Sequence, residues 1–299
     1  MKILRAQYMG WCFGVRDAVK LVLRESERGP VTVLGELVHN EAVNATLRDR
    51  GVRLTRELAE VGDGTVVVTA HGMSDAALGA LRERVPNVLK ATCPLVKFAH
   101  RAVRELVAAG FHPVIVGQRE HVEVRGLTGD LAEFDVVLTE GDVRLLTPHW
   151  KYGVVAQTTQ PVERVRRLAA AIRERFAESE VRLVDTVCLP TKQRQAAAIE
   201  LARQCDVVVV IGGARSNNTR ELAETCQRFC DRVFRVESAA ELEDGWFEGL
   251  ETVGITAGTS TPDETVEEVE RWLHEKLDGK CASVAGKSGN NTTPVRVAA

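Results

Sequence analysis

Short apolar runs alternate along the chain with longer stretches in which apolar residues recur every three or four positions. VTVLG, TVVVTA, HPVIVG, YGVVAQ, CDVVVVIGG and TVGITAG are rich in β-branched residues and apolar almost throughout. That is the pattern of strands covered on both faces in a parallel sheet. NEAVNATLRDRG, SDAALGALRERV, PVERVRRLAAAIRERF and ETVEEVERWLHEKL come between and after them and read as amphipathic helices. Regular alternation of the two predicts an α/β architecture built on parallel sheet.

The alternation contains a repeat. Three segments open with a cysteine leading into a helical pattern: GWCFGVRDAVKL, ATCPLVKFAHRAV and DTVCLPTKQRQAAA. After each comes a strand ending in a polar loop (LGELVHNEAV, VGQREHVEV, IGGARSNNT), then a second strand ending in small polar residues or histidine (TAHGMS, AQTTQ, TAGTST). Cys12, Cys93 and Cys188 recur at intervals of roughly 80 and 95 residues, as expected of related supersecondary units. The prediction is three similar small α/β units in pseudo-threefold arrangement around a central site, over residues 1–92, 93–187 and 188–280. Residues 281–299 have no apolar periodicity and are expected to form a flexible tail. The alternative, three independent domains in a row, leaves each cysteine at a separate site.

Ligands of parallel α/β sheets bind outside the carboxyl ends of the strands. In this sequence those ends carry His39, His71, His121, Glu123, Thr158, Thr159, Ser216, Asn217, Asn218 and Ser260. The hydroxyl, amide and imidazole groups all donate hydrogen bonds to phosphate oxygens, and several of the loops run straight into helices, whose first turns favour anions. Each residue alone has a plainer reading. Ser216 in SNNT is a natural helix cap, and His39 or His71 could be core histidines. Glu123, beside His121 at a predicted strand end, is the candidate proton donor.

Overall composition narrows the functional classes. The 299 residues carry a net charge of −3 and a pI near 6.2, which argues against a broad nucleic-acid surface. The apolar run Val207–Ile211 is strand-sized, far short of a membrane span. With no signal-peptide pattern, a cytoplasmic protein is expected, and seven cysteines are then no disulfide framework. No CxxC occurs, and three converging thiolates do not complete a four-ligand zinc site. They suit a [4Fe–4S] cluster with three cysteine ligands and one open iron, able to bind an oxygen and to pass single electrons. Cys205, Cys226, Cys230 and Cys281 have no repeat partners and are read as core or surface residues. Cys226 and Cys230, four apart on a predicted helix, share a face.

GWCFGV, LVHN, TAHG, ATCPLV, HVEV, AQTTQ, DTVC…RQ, SNNT and TAGTSTPD follow one another between Met1 and Leu277. As an ordered set they resemble the 4-hydroxy-3-methylbut-2-enyl diphosphate reductase family, the last enzymes of the non-mevalonate isoprenoid pathway. The resemblance implies a three-lobed α/β fold around a [4Fe–4S] cluster held by Cys12, Cys93 and Cys188. It implies an allylic diphosphate substrate, held by His39, His71, His121, Ser216, Asn218 and Ser260 with Asn217 nearby. Glu123 would relay protons, assisted by Thr158. It also implies a ferredoxin or flavodoxin as electron donor, since no flavin or nicotinamide fingerprint is present. No nucleic-acid or membrane partner is expected.

Two positions depart from the family's usual pattern. Val122 stands in HVEV where proline is usual, and Ala214-Arg215 stands where Lys-Asn usually precedes the serine. Loss of proline loosens the loop that presents Glu123, and Arg215 either contacts the anion or faces solvent. These changes leave room for a pathway-specific paralogue using a related allylic diphosphate. Two further readings are a quinolinate synthase-like enzyme, which shares the open iron but not the diphosphate loops, and an iron–sulfur redox sensor.

Overall fold

The computed structural model describes residues 2–285. Twelve strands form three separate four-stranded sheets, parallel throughout. After β1 (Lys2–Arg5) and α1 (Phe13–Ser26), the first sheet contains β2 (Val31–Leu34), β3 (Arg53–Thr55), β4 (Thr65–Val68) and β5 (Asn87–Lys90), in the order β3-β2-β4-β5. Helices α2 (Glu41–Asp49) and α3 (Asp75–Arg84) belong to the same unit, and α4 (Pro94–Ala108) leads to the next. The second sheet contains β6 (His112–Val116), β7 (Asp135–Val137), β8 (Lys151–Ala156) and β9 (Glu180–Leu183), ordered β7-β6-β8-β9. Its helices are α5 (Val122–Thr128), α6 (Glu140–Leu145) and α7 (Val162–Arg175), and α8 (Leu189–Ala202) leads onward. The third sheet contains β10 (Val207–Ile211), β11 (Val233–Val236) and β12 (Thr252–Ala257), with α9 (Asn217–Cys226) and α10 (Asp263–Ala285).

The topology repeats in all three sheets, with one departure from the expected boundaries. The third sheet runs β11-β10-β12-β1, so its fourth strand is the first strand of the chain. β1 pairs with β12 from Lys2↔Thr252 to Arg5↔Ile255, outside the unit expected over 1–92. The physical reason is edge pairing: β12 is buried at five of its six positions and needs a partner on each side. Every fourth strand (β1, β5, β9) then leads directly to one of the three cysteines. The described helix α10 continues to Ala285, past the expected start of the tail at 281; the rest of the tail lies outside the described residues.

The central strands behave as their sequences dictate. β10, VVVVI, is buried at every position, and each such side chain contributes about 1.5–3 kcal/mol when fully buried. Each unit keeps its own core. Val33, Val67, Leu37 and Leu47 lie in the first, Val154, Leu168 and Ile172 in the second, and Val209, Ile255 and Leu273 in the third.

Candidate active site

Cys12, Cys93 and Cys188 occupy one structural position three times. Each is the N-cap of a helix, α1, α4 and α8 respectively, and none of the three thiols caps its own helix with a hydrogen bond. Each backbone N–H donates to a carbonyl at the end of the neighbouring third strand of its sheet: Cys12 to Thr259 at 3.0 Å, Cys93 to Ala70 at 3.1 Å and Cys188 to Thr158 at 2.9 Å. Pro94 and Pro190 stand in the first turns of α4 and α8, where their fixed φ suits helix initiation.

The thiols converge. A Cβ placed on Gly14 would lie 2.5 Å from the Cys93 Sγ, so glycine leaves the room that thiol occupies. Burial first, with the nearby Cys12 and Glu123 adding to it against hydrogen bonds from Thr191, pushes the Cys188 thiol up to about 11. Cys93 is raised for the same first reason, burial, with Cys12 and Glu123 adding to it. The loop carrying Cys12 is pinned by Arg194, whose buried guanidinium donates to the Gly10 carbonyl at 2.7 Å and the Trp11 carbonyl at 3.1 Å. Sequence reasoning noted the RQ pair and gave Arg194 no role; the signal was a helical arginine six residues beyond a cysteine.

Among the described residues no group of three or more His, Cys, Asp or Glu side chains is gathered tightly enough to hold one metal ion. Three partly buried thiols, with Cys12 near enough to both Cys93 and Cys188 to act on them electrostatically, fit a larger polynuclear group with thiolate ligands. Helix N-termini favour the thiolate form. Among the described α-helices, α1, α4, α8 and α9 carry no acidic residue in their first turn, whereas the other six do. The positive ends of these four dipoles are thus left uncompensated.

Beside the thiols lies the expected polar constellation. His39, His71 and His121 form a triangle of rings with centroids 4.6, 5.3 and 5.6 Å apart. With Glu123, Ser216, Asn217, Asn218 and Ser260 they line one small cavity of about 50 Å³. Burial holds His71 well below the usual histidine range, with help from its two neighbours, and burial lowers His121 to about 3. All three units contribute, from the ends of β2, β4, β6, β10 and β12. Among the described residues the buried Nδ1 of His71 and Oγ of Ser260 have no hydrogen-bond partner, an arrangement that costs free energy unless a ligand supplies one. His39 and His121 also line a wider cleft of about 590 Å³, together with Arg56, Arg125 and Arg215.

Glu123 is on a helix, not at a strand end. His121 is the N-cap of α5, and its Nδ1 accepts from the Glu123 N–H at 3.1 Å. The β-branched VEV reads as strand in isolation, yet tertiary packing of Val124 and Leu127 overrides that preference. The Glu123 carboxylate accepts from the Thr158 N–H at 2.6 Å and from its hydroxyl at 3.1 Å. Burial nonetheless raises it to about 7. Ser216 caps α9 by accepting from the Thr219 N–H at 3.2 Å, so its plain reading holds alongside its place in the cavity. Asn218 accepts from the Thr259 N–H at 2.9 Å, and Asn217 donates to Thr159 at 3.2 Å, which ties the second unit to the third.

The family model described as LytB protein matches residues 3–274. The chain belongs to the LytB family. A LytB relative, 4-hydroxy-3-methylbut-2-enyl diphosphate reductase of Trichlorobacter lovleyi, is 38% identical over 277 residues, 92% of this chain and 98% of its own. A solved structure described as (E)-4-hydroxy-3-methyl-but-2-enyl diphosphate reductase, the terminal enzyme of the non-mevalonate pathway, is 36% identical and superposes with a TM-score of 0.66 over 92% of this chain and 100% of that one. The fold is shared as well with the E-1-hydroxy-2-methyl-but-2-enyl-4-diphosphate reductase of Plasmodium falciparum, at a TM-score of 0.85, 24% identity, and 91% and 87% coverage.

Two further sequence expectations can be followed in this LytB chain. Arg215 is exposed, lines the wider cleft beside His39 and His121, and pairs with Glu36 at 2.6 Å and Glu41 at 3.5 Å, across from the third unit to the first. α9 ends at Cys226, yet the Cys230 N–H donates to the Cys226 carbonyl at 3.0 Å and the two cysteines pack into one core cluster, so they face the same way. Both are buried, and the Cys230 thiol donates to the carbonyls of Cys205 and Arg232, as core cysteines do. No described helix is long and apolar enough to cross a membrane.

Proposed function

We propose that this chain is a 4-hydroxy-3-methylbut-2-enyl diphosphate reductase, in which Cys12, Cys93 and Cys188 hold a [4Fe–4S] cluster with one open iron. The observation that carries the reading is the meeting of three cysteine-capped helix starts with a buried glutamate and a ring of histidine, serine and asparagine donors. When bound, such a cluster supplies Lewis-acid and one-electron chemistry. His39, His71, His121, Ser216, Asn218 and Ser260 bind the diphosphate, with Asn217 completing the wall. Contacts so far from the reacting carbon supply binding energy that orients it.

Glu123 holds and delivers a proton. Its carboxyl, raised to about 7, is substantially protonated near neutrality, where a general acid works best. Thr158 fixes its orientation through two hydrogen bonds. In the overall reaction the substrate takes up two electrons and two protons, its allylic C–O bond breaks and water leaves. Protonation at either end of the allylic carbons gives isopentenyl or dimethylallyl diphosphate. The electrons come from a ferredoxin or flavodoxin.

The test is anaerobic turnover of hydroxymethylbutenyl diphosphate with dithionite and a viologen dye, with products identified and iron counted on the same sample. Formation of the two five-carbon diphosphates is expected. A full iron complement without turnover would overturn the substrate assignment in favour of a related allylic diphosphate.

A further inference from the structure

Glu36 places a carboxylate beside the proposed anion site, and the chemistry above gives it no role. It stands on the loop between β2 and α2 that carries His39, and its side chain is only 14% exposed. Its Oε2 lies 3.2 Å from the His39 Nδ1. Its Oε1 accepts from the Arg215 guanidinium at 2.6 Å and from the Arg56 guanidinium at 2.9 Å. Both arginines share one oxygen, which leaves the other to the imidazole. Charge-assisted bonds of this kind hold a carboxylate in one orientation. The backbone is held as well. A Cβ on Gly213 would overlap the His39 carbonyl, so the loop that carries Arg215 lies directly on the His39 main chain.

The three cavity histidines differ in what their Nδ1 atoms meet. The His121 Nδ1 accepts from the Glu123 N–H, so neutral His121 carries its proton on Nε2. The His71 Nδ1 has no partner among the described residues. The His39 Nδ1 faces a carboxylate, which can only accept, so its proton is on Nδ1. Neutral His39 then offers the cavity an acceptor, and an acceptor does not bind an anionic phosphate oxygen. To donate there, the ring must carry both protons. It would do so stacked on His71 at 4.6 Å and edge-on to His121 at 5.3 Å. A cation among imidazoles needs a counter-charge. Among the described residues His39 is the one histidine of the three with a carboxylate partner, and that partner is Glu36.

We infer that Glu36 is a positioning residue for diphosphate binding: it fixes His39 with Nδ1 protonated and balances the imidazolium whose Nε2–H donates to the anion. The inference rests on the function proposed above, which sets His39 against the diphosphate. Arg56 and Arg215 act one step further out, by holding the carboxylate that holds the ring. Arg215 comes from the third unit, so a residue beside Ser216 helps to orient a histidine of the first.

The experiment uses the iron-loaded protein, inorganic diphosphate as the probe, and Glu36→Gln, which keeps the size of the side chain and an oxygen for the arginines but removes the charge. Simple electrostatics predicts that an anion binds more tightly once a nearby negative charge is gone. Acting through His39, the same change should instead weaken inorganic diphosphate about tenfold in calorimetry. It should raise the KM for hydroxymethylbutenyl diphosphate by a similar factor and leave kcat within about threefold. In a His39→Asn background, Glu36→Gln should no longer weaken binding, so the four proteins close a double-mutant cycle. Equal or tighter binding by Glu36→Gln would overturn the inference, as would the same weakening in the His39→Asn background. Binding of inorganic diphosphate by the unsubstituted protein without turnover of hydroxymethylbutenyl diphosphate would instead strike the proposed substrate, and the cycle would still decide the role of Glu36.

Discussion

Replacing Glu123 with glutamine should make the protein more stable and nearly inactive, and the first effect can be worked out from the structure. Burial raises the carboxyl from its usual 4.5 to about 7. At ~1.4 kcal/mol per pH unit this is about 3 kcal/mol. The sign follows from proton linkage. A carboxyl that binds its proton more tightly folded than unfolded imposes no cost below 4.5. The cost grows as pH rises and is complete above about 7, where the folded protein holds a buried charge. Glutamine keeps the shape and an acceptor for the Thr158 N–H, and its amide can donate to the Thr158 hydroxyl, so the charge is the main loss. Anaerobic thermal unfolding should therefore place Glu123→Gln several degrees above the unsubstituted protein at pH 8, with the gap closing toward pH 4.5. Turnover should fall about 10²–10⁴-fold with the iron content unchanged. A variant no more stable at pH 8 would refute the burial argument, and one that retains turnover would remove Glu123 from proton delivery.

Three further outcomes test other parts of the site. Cys12→Ser should lose the iron–sulfur absorbance while the circular dichroism of the fold persists, because Cys12 makes no capping hydrogen bond and serine is the better cap by about 1 kcal/mol. Gly14→Ala should also lower iron occupancy, since its methyl would need the space of the Cys93 Sγ; an unchanged iron-to-protein ratio would show that the thiol has room to move. Diphosphate binding should take up protons and tighten as pH falls, because buried neutral His71 and His121 gain their charge beside an anion; calorimetry in two buffers of different ionisation enthalpy measures that uptake.

Much of this arrangement was legible before any coordinates. Strand-sized valine runs identify the sheets, because burial on both faces leaves little choice of residue. The threefold recurrence of a cysteine ahead of a helix gives the unit count. The cavity residues were read from strand ends for the same reason. Three things were not legible. KILR is too short and too mixed to declare a sheet, and its pairing with Thr252–Ile255 is set by an open edge some 250 residues away. The helix under Glu123 is a seven-residue element that isolated propensity would not sustain. Arg194 acts through backbone carbonyls on another helix approach, a contact that no local pattern encodes. Val122, which departs from the family's usual proline, occupies the first position of α5, the helical position where proline's fixed φ is pre-organised.

The sharing of β1 with the third sheet has a consequence for biosynthesis. Lys2–Arg5 leave the ribosome about 250 residues ahead of Thr252–Ala257, a gap of roughly 10–50 s at about 5–20 residues per second. Through that interval the first strand has no partner, and the Thr259 carbonyl that receives the Cys12 N–H has not been made. The second cysteine can find its place within a growing chain; the first cannot. The Cys12 anchor is therefore completed only after Thr259 has been added, and a chain stalled before that residue holds all three thiols with the first of them unanchored.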